Sequence, residues 1–338
     1  MLKVGRVDLI ENMEILKMKP NKELDLIAKN IIKEFGEDAL IFGRENDRIK
    51  NIERVPTGSF ALDIITGGGY PKGRIIEIFG MDRVGKTFAG LICIAANQKQ
   101  NKTCCFLDIE ATLNYTWAEK IGVDANSLII SRPSCAEEAL EITDRLIRSG
   151  GVDLVVLDSV AALVSQEELD KEMSQDTMAK QARLMSKALR KFGAWGSRTG
   201  TTLILINQMR QDITSFYPRL TTPGGNAIRF WASLRLELKC TEIFNNKKGH
   251  RVKATVVKNK TAPPYLSATF DLIYNEPLIR EREILHIASE LDIIQKKGGG
   301  YYFLEKENLG RINDAIDRLK KDKSLCEKIE AQVKELLL

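Results

Sequence analysis

Histidine and closely spaced cysteine pairs are scarce in this chain of 338 residues, and their scarcity argues against several kinds of catalytic site. The two histidines, His250 and His286, lie in unrelated contexts, so neither a histidine-dependent triad nor a histidine metal site is expected. The six cysteines include no C-x-x-C pair, which argues against a zinc site or a thioredoxin-like motif. Cysteines that serve as small core residues are typical of a reducing compartment, so we expect a cytoplasmic protein.

Long apolar runs and a strong charge bias are also missing. The longest apolar run, residues 89–96, is too short to span a membrane, and the first residues contain no signal-peptide core. The net charge of +5 permits an anionic partner without requiring one. The length allows about two domains with a substantial core.

Short apolar segments alternate with helical patterns between residues 50 and 270. Buried strands are predicted at 74–79, 103–108, 153–158 and 201–207, and helices at 88–98, 135–149 and 177–192. This alternation predicts an α/β fold with a mostly parallel twisted sheet and helices on both faces. Segments 235–239 and 250–258 flank a polar turn and predict an antiparallel hairpin at the sheet edge.

The two ends of the chain have a different character from this central block. Apolar residues from Leu24 to Phe35 recur at helical spacing, and Gly36 ends the pattern. So short an amphipathic helix must pack on its own domain or on a neighbouring subunit. We therefore predict an N-terminal arm and helix (1–49), a core (50–270) and a small α+β C-terminal domain (271–338).

The stretch GMDRVGKT, residues 80–87, has the spacing of a phosphate-binding loop. Its backbone amides would wrap the phosphates of a nucleoside triphosphate, Lys86 would reach the outer phosphates, and Thr87 would bind Mg²⁺. A predicted strand before the loop and a predicted helix after it supply the required context. The predicted loop comprises Gly80, Met81, Asp82, Arg83, Val84, Gly85, Lys86 and Thr87.

Three polar side chains follow predicted buried strands, and the carboxyl ends of parallel strands are where such sheets bind ligands. Asp158 could hold Mg²⁺ through water, or it could cap the next helix. Glu110, two residues after Asp108, could polarise a water for attack on the γ-phosphate, or it could be a solvated loop acid. Gln208 could sense the γ-phosphate by hydrogen bonding.

Two aperiodic stretches are candidate nucleic-acid loops. Residues 209–225, which we call the long loop, carry two arginines and the aromatic pair Phe216 and Tyr217, a mixture suited to phosphate contact and base stacking, although disorder is the alternative. A shorter stretch, 169–177, leads into a helix that carries Met178 and Arg183.

Taken together, these segments resemble the RecA family of homologous-recombination ATPases, in the order found in that family. The resemblance covers residues from about 20 to the end and is carried by TGSFALDIITGGGYPKGRIIEIFG, VVLDSVAAL, LILINQMR, TPGGNAIRFWASLRL and VKNKTAPP. It implies an N-terminal polymerisation helix and strand, a RecA-type ATPase core and a C-terminal DNA-gathering domain.

The resemblance also implies an activity. RecA-like subunits would assemble with ATP into a helical filament on single-stranded DNA, pair with homologous double-stranded DNA and exchange strands, with DNA-stimulated ATP hydrolysis. It implies roles in DNA repair and the SOS response, with a LexA-like repressor as a further partner. A ring-forming helicase on the same core, and a nucleotide-gated scaffold that promotes repressor self-cleavage, are the alternatives.

Residue roles follow from the same resemblance. Glu110 matches the water-activating glutamate, Asp158 the magnesium-side aspartate, and Gln208 the γ-phosphate sensor. Trp117 stands where the family has an adenine-stacking tyrosine, and an indole can serve the same purpose. Lys258 and Lys260 match lysines that reach the ATP of the adjacent subunit. Positions matching DNA-loop residues are Met178, Arg183, Arg210, Ile213, Gly224, Gly225 and Asn226.

Some residues depart from the family pattern. Arg83 and Val84 replace small polar residues in the phosphate loop, which is expected to alter nucleotide affinity or turnover. Asn114 stands where an aspartate is common, so weaker adenine recognition is expected. The basic pair of a secondary duplex-binding site is reduced to Lys239–Cys240.

Overall fold

The computed structural model describes residues 22–36, 39–40, 52–170, 178–212, 219–245, 247–305 and 307–337. The chain divides into two compact units, residues 1–52 and 53–338. In the first unit, helix α1 spans Lys22–Phe35 and ends at Gly36, whose φ of +97° is left-handed. Glycine accepts this conformation without steric cost, so the helix ends where the sequence predicts.

The second unit begins with the elements that build the sheet and the helices on its faces. Up to residue 199 they are β1 (Arg54–Val55), α2 (Phe60–Thr66), β2 (Tyr70–Pro71), β3 (Ile75–Gly80), α3 (Lys86–Gln98), β4 (Cys104–Asp108), α4 (Tyr115–Lys120), β5 (Ile129–Ser131), α5 (Ala136–Ser149), β6 (Leu154–Asp158), a 3₁₀ turn (Val160–Ala162), α6 (Gln166–Asp170) and α7 (Met178–Thr199).

The remaining elements finish the sheet and form the C-terminal region. They are β7 (Thr202–Gln208), β8 (Arg210–Asp212), β9 (Arg219–Thr221), α8 (Gly225–Trp231), β10 (Leu234–Ile243), β11 (Gly249–Asn259), β12 (Ser267–Ile273), α9 (Arg280–Glu290), β13 (Ile294–Lys297), a 3₁₀ turn (Gly298–Gly300), β14 (Tyr301–Leu304), β15 (Glu307–Arg311), α10 (Ile312–Lys321) and α11 (Lys323–Leu337). Among the helices of the described residues, none combines the length and apolar character needed to cross a bilayer.

The large sheet has the strand order β12-β11-β10-β3-β7-β6-β4-β5 within the described residues. Strands from β10 to β5 along this order are parallel, whereas β11 and β12 are antiparallel additions. The predicted hairpin is therefore correct in pairing but wrong in position, because β12 covers β11 and forms the edge. The edge was missed because β12 is separated from β11 by the turn around Pro263 and Pro264, which hides their adjacency in the sequence.

The central strands are buried along their whole length, which explains their continuous apolar sequences. Strands β3, β4 and β6 are lined by buried residues at every position. One face packs against α3 through residues such as Phe88 and Leu91, and the other packs against α7 through Leu189 and Phe192. Helices on both faces leave the carboxyl edge of the sheet as the place for a ligand.

The two ends of the segment 209–225 form paired strands, which its lack of periodicity does not predict. Strand β8 pairs with β9 in antiparallel register, Arg210 opposite Thr221 and Asp212 opposite Arg219. A hairpin stem this short has too few residues to show a two-residue period, so the sequence could not reveal it. The positions Ile213, Phe216 and Tyr217 lie outside the described residues.

The C-terminal region is joined to the core by a buried carboxylate. Strands β13–β15 form an antiparallel sheet, and helix α9 places Glu283 against the start of α2. Glu283 accepts hydrogen bonds from the Ser59 hydroxyl and, at 2.8 Å, from the Phe60 amide. Burial raises the pKa of Glu283 from 4.5 to about 7, against the opposing effect of these hydrogen bonds.

We expect Glu283→Gln to flatten the pH dependence of folding stability. A carboxyl whose folded pKa is raised contributes stability that is complete below pH 4.5 and is lost as the pH rises through about 7. The shift corresponds to a loss on the order of 3 kcal/mol between these limits. The free energy of unfolding, measured with urea at pH 5 and pH 8, tests this loss. The control is Glu276→Gln, a substitution of an exposed glutamate. Equal pH dependence in the wild type and Glu283→Gln would contradict this assignment.

Candidate functional site

The phosphate loop connects the end of β3 to the start of α3. A Cβ on Gly80 would lie 2.3 Å from the Leu238 carbonyl oxygen, and one on Gly85 would lie 2.7 Å from the Leu272 side chain. Gly85 also has a left-handed φ of +92°. Gly80 is therefore required by the close approach of the Leu238 backbone, and Gly85 chiefly by its left-handed φ.

The two phosphate-loop residues that depart from the family pattern have different environments. Val84 is buried and belongs to the apolar core, whereas Arg83 is exposed and has a left-handed φ of +60°. Val84 thus anchors the loop through apolar contact. Arg83 adds a positive charge to the wall of the cavity beside the loop.

Lys86 is the charged centre of the loop. Its side chain is largely buried, with 7% of the residue exposed, and its ammonium donates to the Met81 carbonyl at 2.7 Å. Burial lowers the pKa of Lys86, and the carboxylates of Asp82, Asp158 and Glu110 partly offset this effect. A desolvated ammonium held inside the loop is positioned to bind phosphate oxygens.

Thr87 and Asp158 meet at the floor of the site. The Thr87 hydroxyl donates to Asp158 Oδ2 at 2.5 Å, and Asp158 ends strand β6. Burial raises the pKa of Asp158 to about 6, with the Thr87 hydrogen bond opposing the rise. A divalent cation beside these oxygens would favour the ionised carboxylate, so the two residues fit Mg²⁺.

The metal would need further ligands from the nucleotide and from water. Within the described ranges, no group of three or more His, Cys, Asp or Glu side chains could hold a metal ion by itself. Mg²⁺ usually keeps several waters and binds substrate phosphates, so Thr87 and Asp158 would supply only part of its coordination.

Asp108, the last residue of β4, and Glu110, two residues later, have different environments. Asp108 is buried, accepts from the Thr112 amide at 3.0 Å, and is paired with Arg132 at 3.1 Å. Glu110 is exposed and accepts from the Ser159 hydroxyl at 2.7 Å. Asp108 therefore stabilises the turn that follows β4, whereas Glu110 presents a carboxylate to the cavity.

A cavity of about 600 Å³ brings most of the predicted nucleotide residues together. Gln208, at the end of β7, lines it together with the phosphate loop, Glu110 and Asp158. Trp117 also lines it, with its ring centroid 6.4 Å from that of Phe88. Asn114 Oδ1 accepts from the Trp117 amide at 3.0 Å, so it caps α4 and fixes the helix that carries the indole.

One wall of the cavity, formed by β11, β12 and the residue after β12, was not expected from the sequence. His250, Leu272 and Tyr274 line it, and His250 Nδ1 lies 3.2 Å from the Tyr274 hydroxyl. Burial lowers the pKa of His250, which favours the neutral imidazole. The predicted hairpin included only His250 and gave no signal for Leu272 or Tyr274, because all three lie more than 160 residues from the phosphate loop.

Lys258 and Lys260 do not reach this cavity within the same chain. The Lys258 ammonium donates to the carbonyls of Arg229 and Phe230, and Lys260 donates to Phe230 at 3.2 Å. Both lysines thereby cap the C-terminal end of helix α8, where cations are favoured. Their predicted contact with a second subunit's nucleotide stays a prediction.

The predicted DNA positions that the structure describes lie on α7, on β8 and at the start of α8. A Cβ on Gly225 would lie 3.5 Å from Ala182, next to the exposed Arg183. Arg210 is exposed and donates to the Ala161 carbonyl at 3.1 Å. The exposed Asn226 follows the left-handed glycines Gly224 and Gly225, and Met178 begins α7.

Comparisons with known proteins agree over most of the chain. The family model for the RecA N-terminal domain matches residues 22–279. The chain is 43% identical over 320 residues to Protein RecA of Aquifex aeolicus (strain VF5), covering 93% of this chain and 92% of that protein. Over 321 residues it is 44% identical to Protein RecA of Aquifex pyrophilus, with the same coverage. Protein RecA of Francisella tularensis subsp. novicida (strain U112) is 42% identical over 326 residues, 95% of this chain and 91% of that protein.

Proposed function

Because the chain belongs to the RecA family, a family of DNA-dependent ATPases that act in recombination, we propose the following activity for it. Subunits bind ATP and assemble as a helical filament on single-stranded DNA, pair it with homologous double-stranded DNA, and exchange strands. ATP hydrolysis releases the filament from the DNA. One observation carries the proposal: strand β7 ends at Gln208 in the nucleotide cavity, and Arg210 at the base of the long loop follows two residues later.

The chemistry at the nucleotide is proposed from the groups that surround the cavity. Lys86 and the loop amides bind the phosphates, and Trp117 stacks on the base. Thr87 and Asp158 would hold Mg²⁺, which would supply positive charge against the charge that develops on the phosphates. Glu110 accepts a proton from the attacking water, and its hydrogen bond from Ser159 holds the carboxylate in orientation.

We propose that assembly of the subunits completes the nucleotide site. Lys258 and Lys260 would leave the carbonyls of α8 and contact the ATP of the adjacent subunit, where phosphate is a stronger acceptor than a carbonyl. Helix α1 would dock on a neighbouring subunit through its apolar face. Both contacts tie the nucleotide to filament formation.

DNA is proposed to bind at the loops and at the C-terminal region. Arg183 and Arg210 contact phosphates of the single strand, while Gly224 and Gly225 allow close approach of the backbone. We assign the same role to Met178, Ile213, Phe216, Tyr217 and Asn226 from their place in the family pattern. Lys296 and Lys297 lie over the Tyr302 and Phe303 rings in the C-terminal sheet, a surface suited to gathering duplex DNA. A LexA-like repressor is proposed as a further partner on family membership alone.

Negative-stain imaging with single-stranded DNA and a slowly hydrolysed ATP analogue tests the proposal. We expect regular helical fibres that require both DNA and nucleotide, because the triphosphate is shared between subunits. ADP in place of the analogue is the control and should give few fibres. Closed rings would support the helicase alternative, and a protein that stays monomeric under every condition would contradict the proposed assembly.

A further inference from the structure

A buried chain of polar groups crosses three neighbouring strands and ends at the exit of the long loop. Arg235 on β10 donates to Glu77 on β3. Asn207 on β7 donates from Nδ2 to Glu77 Oε1 at 3.0 Å and to the Pro223 carbonyl at 3.0 Å. We call this chain of Arg235, Glu77, Asn207 and the Pro223 carbonyl the relay.

The relay is fully buried at its centre and fully bonded there. Glu77 and Asn207 are 0% exposed. Both hydrogens of the Asn207 amide are donated, and its oxygen accepts from the Gln208 amide at 3.0 Å. Buried polar groups are costly unless every bond is made, so this network holds its members in one geometry.

The position of Asn207 links two surfaces of the molecule. Successive side chains of a strand point to opposite faces, so Gln208 and Asn207 leave the end of β7 on opposite sides. Gln208 lines the nucleotide cavity, whereas Asn207 bonds the carbonyl of Pro223 on the other side. Pro223 directly precedes Gly224 and Gly225, whose left-handed conformations start helix α8.

We propose that Asn207 is a positioning residue that couples the nucleotide site to the long loop through the Pro223 carbonyl. A displacement of the β7 end, produced when Gln208 engages nucleotide, is passed by the Asn207 amide to the loop exit. The loop stem is thereby moved at both ends, since Met209 and β8 follow β7 directly. The inference rests on the proposed function, because it requires that nucleotide and DNA bind at these two surfaces.

Two variants distinguish the hydrogen bond from Asn207 to the Pro223 carbonyl from the hydrogen bond between Asn207 and Glu77. Asn207→Asp keeps the size of the side chain but removes both donated bonds and faces a carboxylate towards Glu77. The double variant Glu77→Gln with Asn207→Asp exchanges donor and acceptor, so the amide of residue 77 can donate to residue 207. The double variant restores the hydrogen bond between β3 and β7. The side chain at position 207 still cannot donate to the Pro223 carbonyl.

The measurement is ATP turnover with and without single-stranded DNA, together with the melting temperature. We expect the ratio of DNA-stimulated to basal turnover to fall about fivefold or more in Asn207→Asp, the lower end of usual coupling energies. KM for ATP without DNA should stay unchanged. The double variant should regain melting temperature while its stimulation ratio stays low.

A matched control removes another buried amide. Asn97, 3% exposed, donates to the carbonyls of Pro56 and Cys93, so Asn97→Asp disturbs the core without touching the relay. Its stimulation ratio should equal that of the wild type. The inference is overturned if Asn207→Asp keeps the full ratio, if the double variant regains it, or if Asn97→Asp loses it equally. Absence of DNA stimulation in the wild type would instead overturn the proposed function, and the inference with it.

Discussion

Lys86→Ala is expected to abolish ATP turnover and filament formation. The Lys86 ammonium is buried inside the phosphate loop and is held by the Met81 carbonyl, so it is already desolvated before phosphate arrives. Alanine removes the positive charge while leaving Asp158 and Glu110 to repel the triphosphate. Loss of a single preorganised donor typically lowers kcat by about 10²–10³, and a charged one should be at the upper end.

Steady-state hydrolysis with single-stranded DNA, and titration with a fluorescent ATP analogue, measure the effect of Lys86→Ala. The control is Lys102→Ala, because Lys102 is a partly exposed lysine whose ion pair with Asp153 lies away from the cavity. The control should bind and hydrolyse ATP as the wild type does. Turnover near the wild-type rate in Lys86→Ala would remove the loop from the mechanism.

Glu110→Gln is expected to retain ATP and DNA binding while slowing hydrolysis by about 10²–10⁴, the usual contribution of a general base. Glutamine has the same shape and can still accept from the Ser159 hydroxyl, but it cannot take a proton from water. Filaments of this variant should therefore persist after assembly, because the step that releases them is blocked.

Single-turnover hydrolysis and the lifetime of DNA complexes after dilution test Glu110→Gln. The matched control is Glu335→Gln, an exposed glutamate on α11 outside the nucleotide cavity. It should leave both quantities unchanged. If Glu110→Gln turns over ATP at the wild-type rate, the base must be a different group.

Family and fold class were both predictable from the sequence, and both predictions are confirmed. The phosphate loop depends on neighbouring residues within eight positions, so its spacing is visible directly in the chain. Burial of parallel strands on both faces requires continuous apolar runs, which made β3, β4, β6 and β7 recognisable. Asp158, Glu110 and Gln208 were located because each ends such a run or follows it within two residues, and the cavity brings them together.

The errors fall where contacts join distant parts of the chain. The hairpin of β10 and β11 was predicted at the sheet edge because the pairing of β11 with β12 produces no pattern in the local sequence. The cavity wall of His250 and Tyr274 was missed for the same reason. The stem of β8 and β9 was too short for a period to appear.

The sequence by itself determined which residues can carry phosphate chemistry, because loop spacing and strand hydrophobicity are local properties. Only the tertiary structure decided how those residues are connected. It made Asp108 a structural acid and Glu110 an available one, although they are only two residues apart. It also joined Glu77, Asn207 and Pro223, whose hydrogen bonds span 130 and 16 residues. Such bonds depend on strand order and register, which arise from packing of the whole sheet and cannot be seen in any one segment.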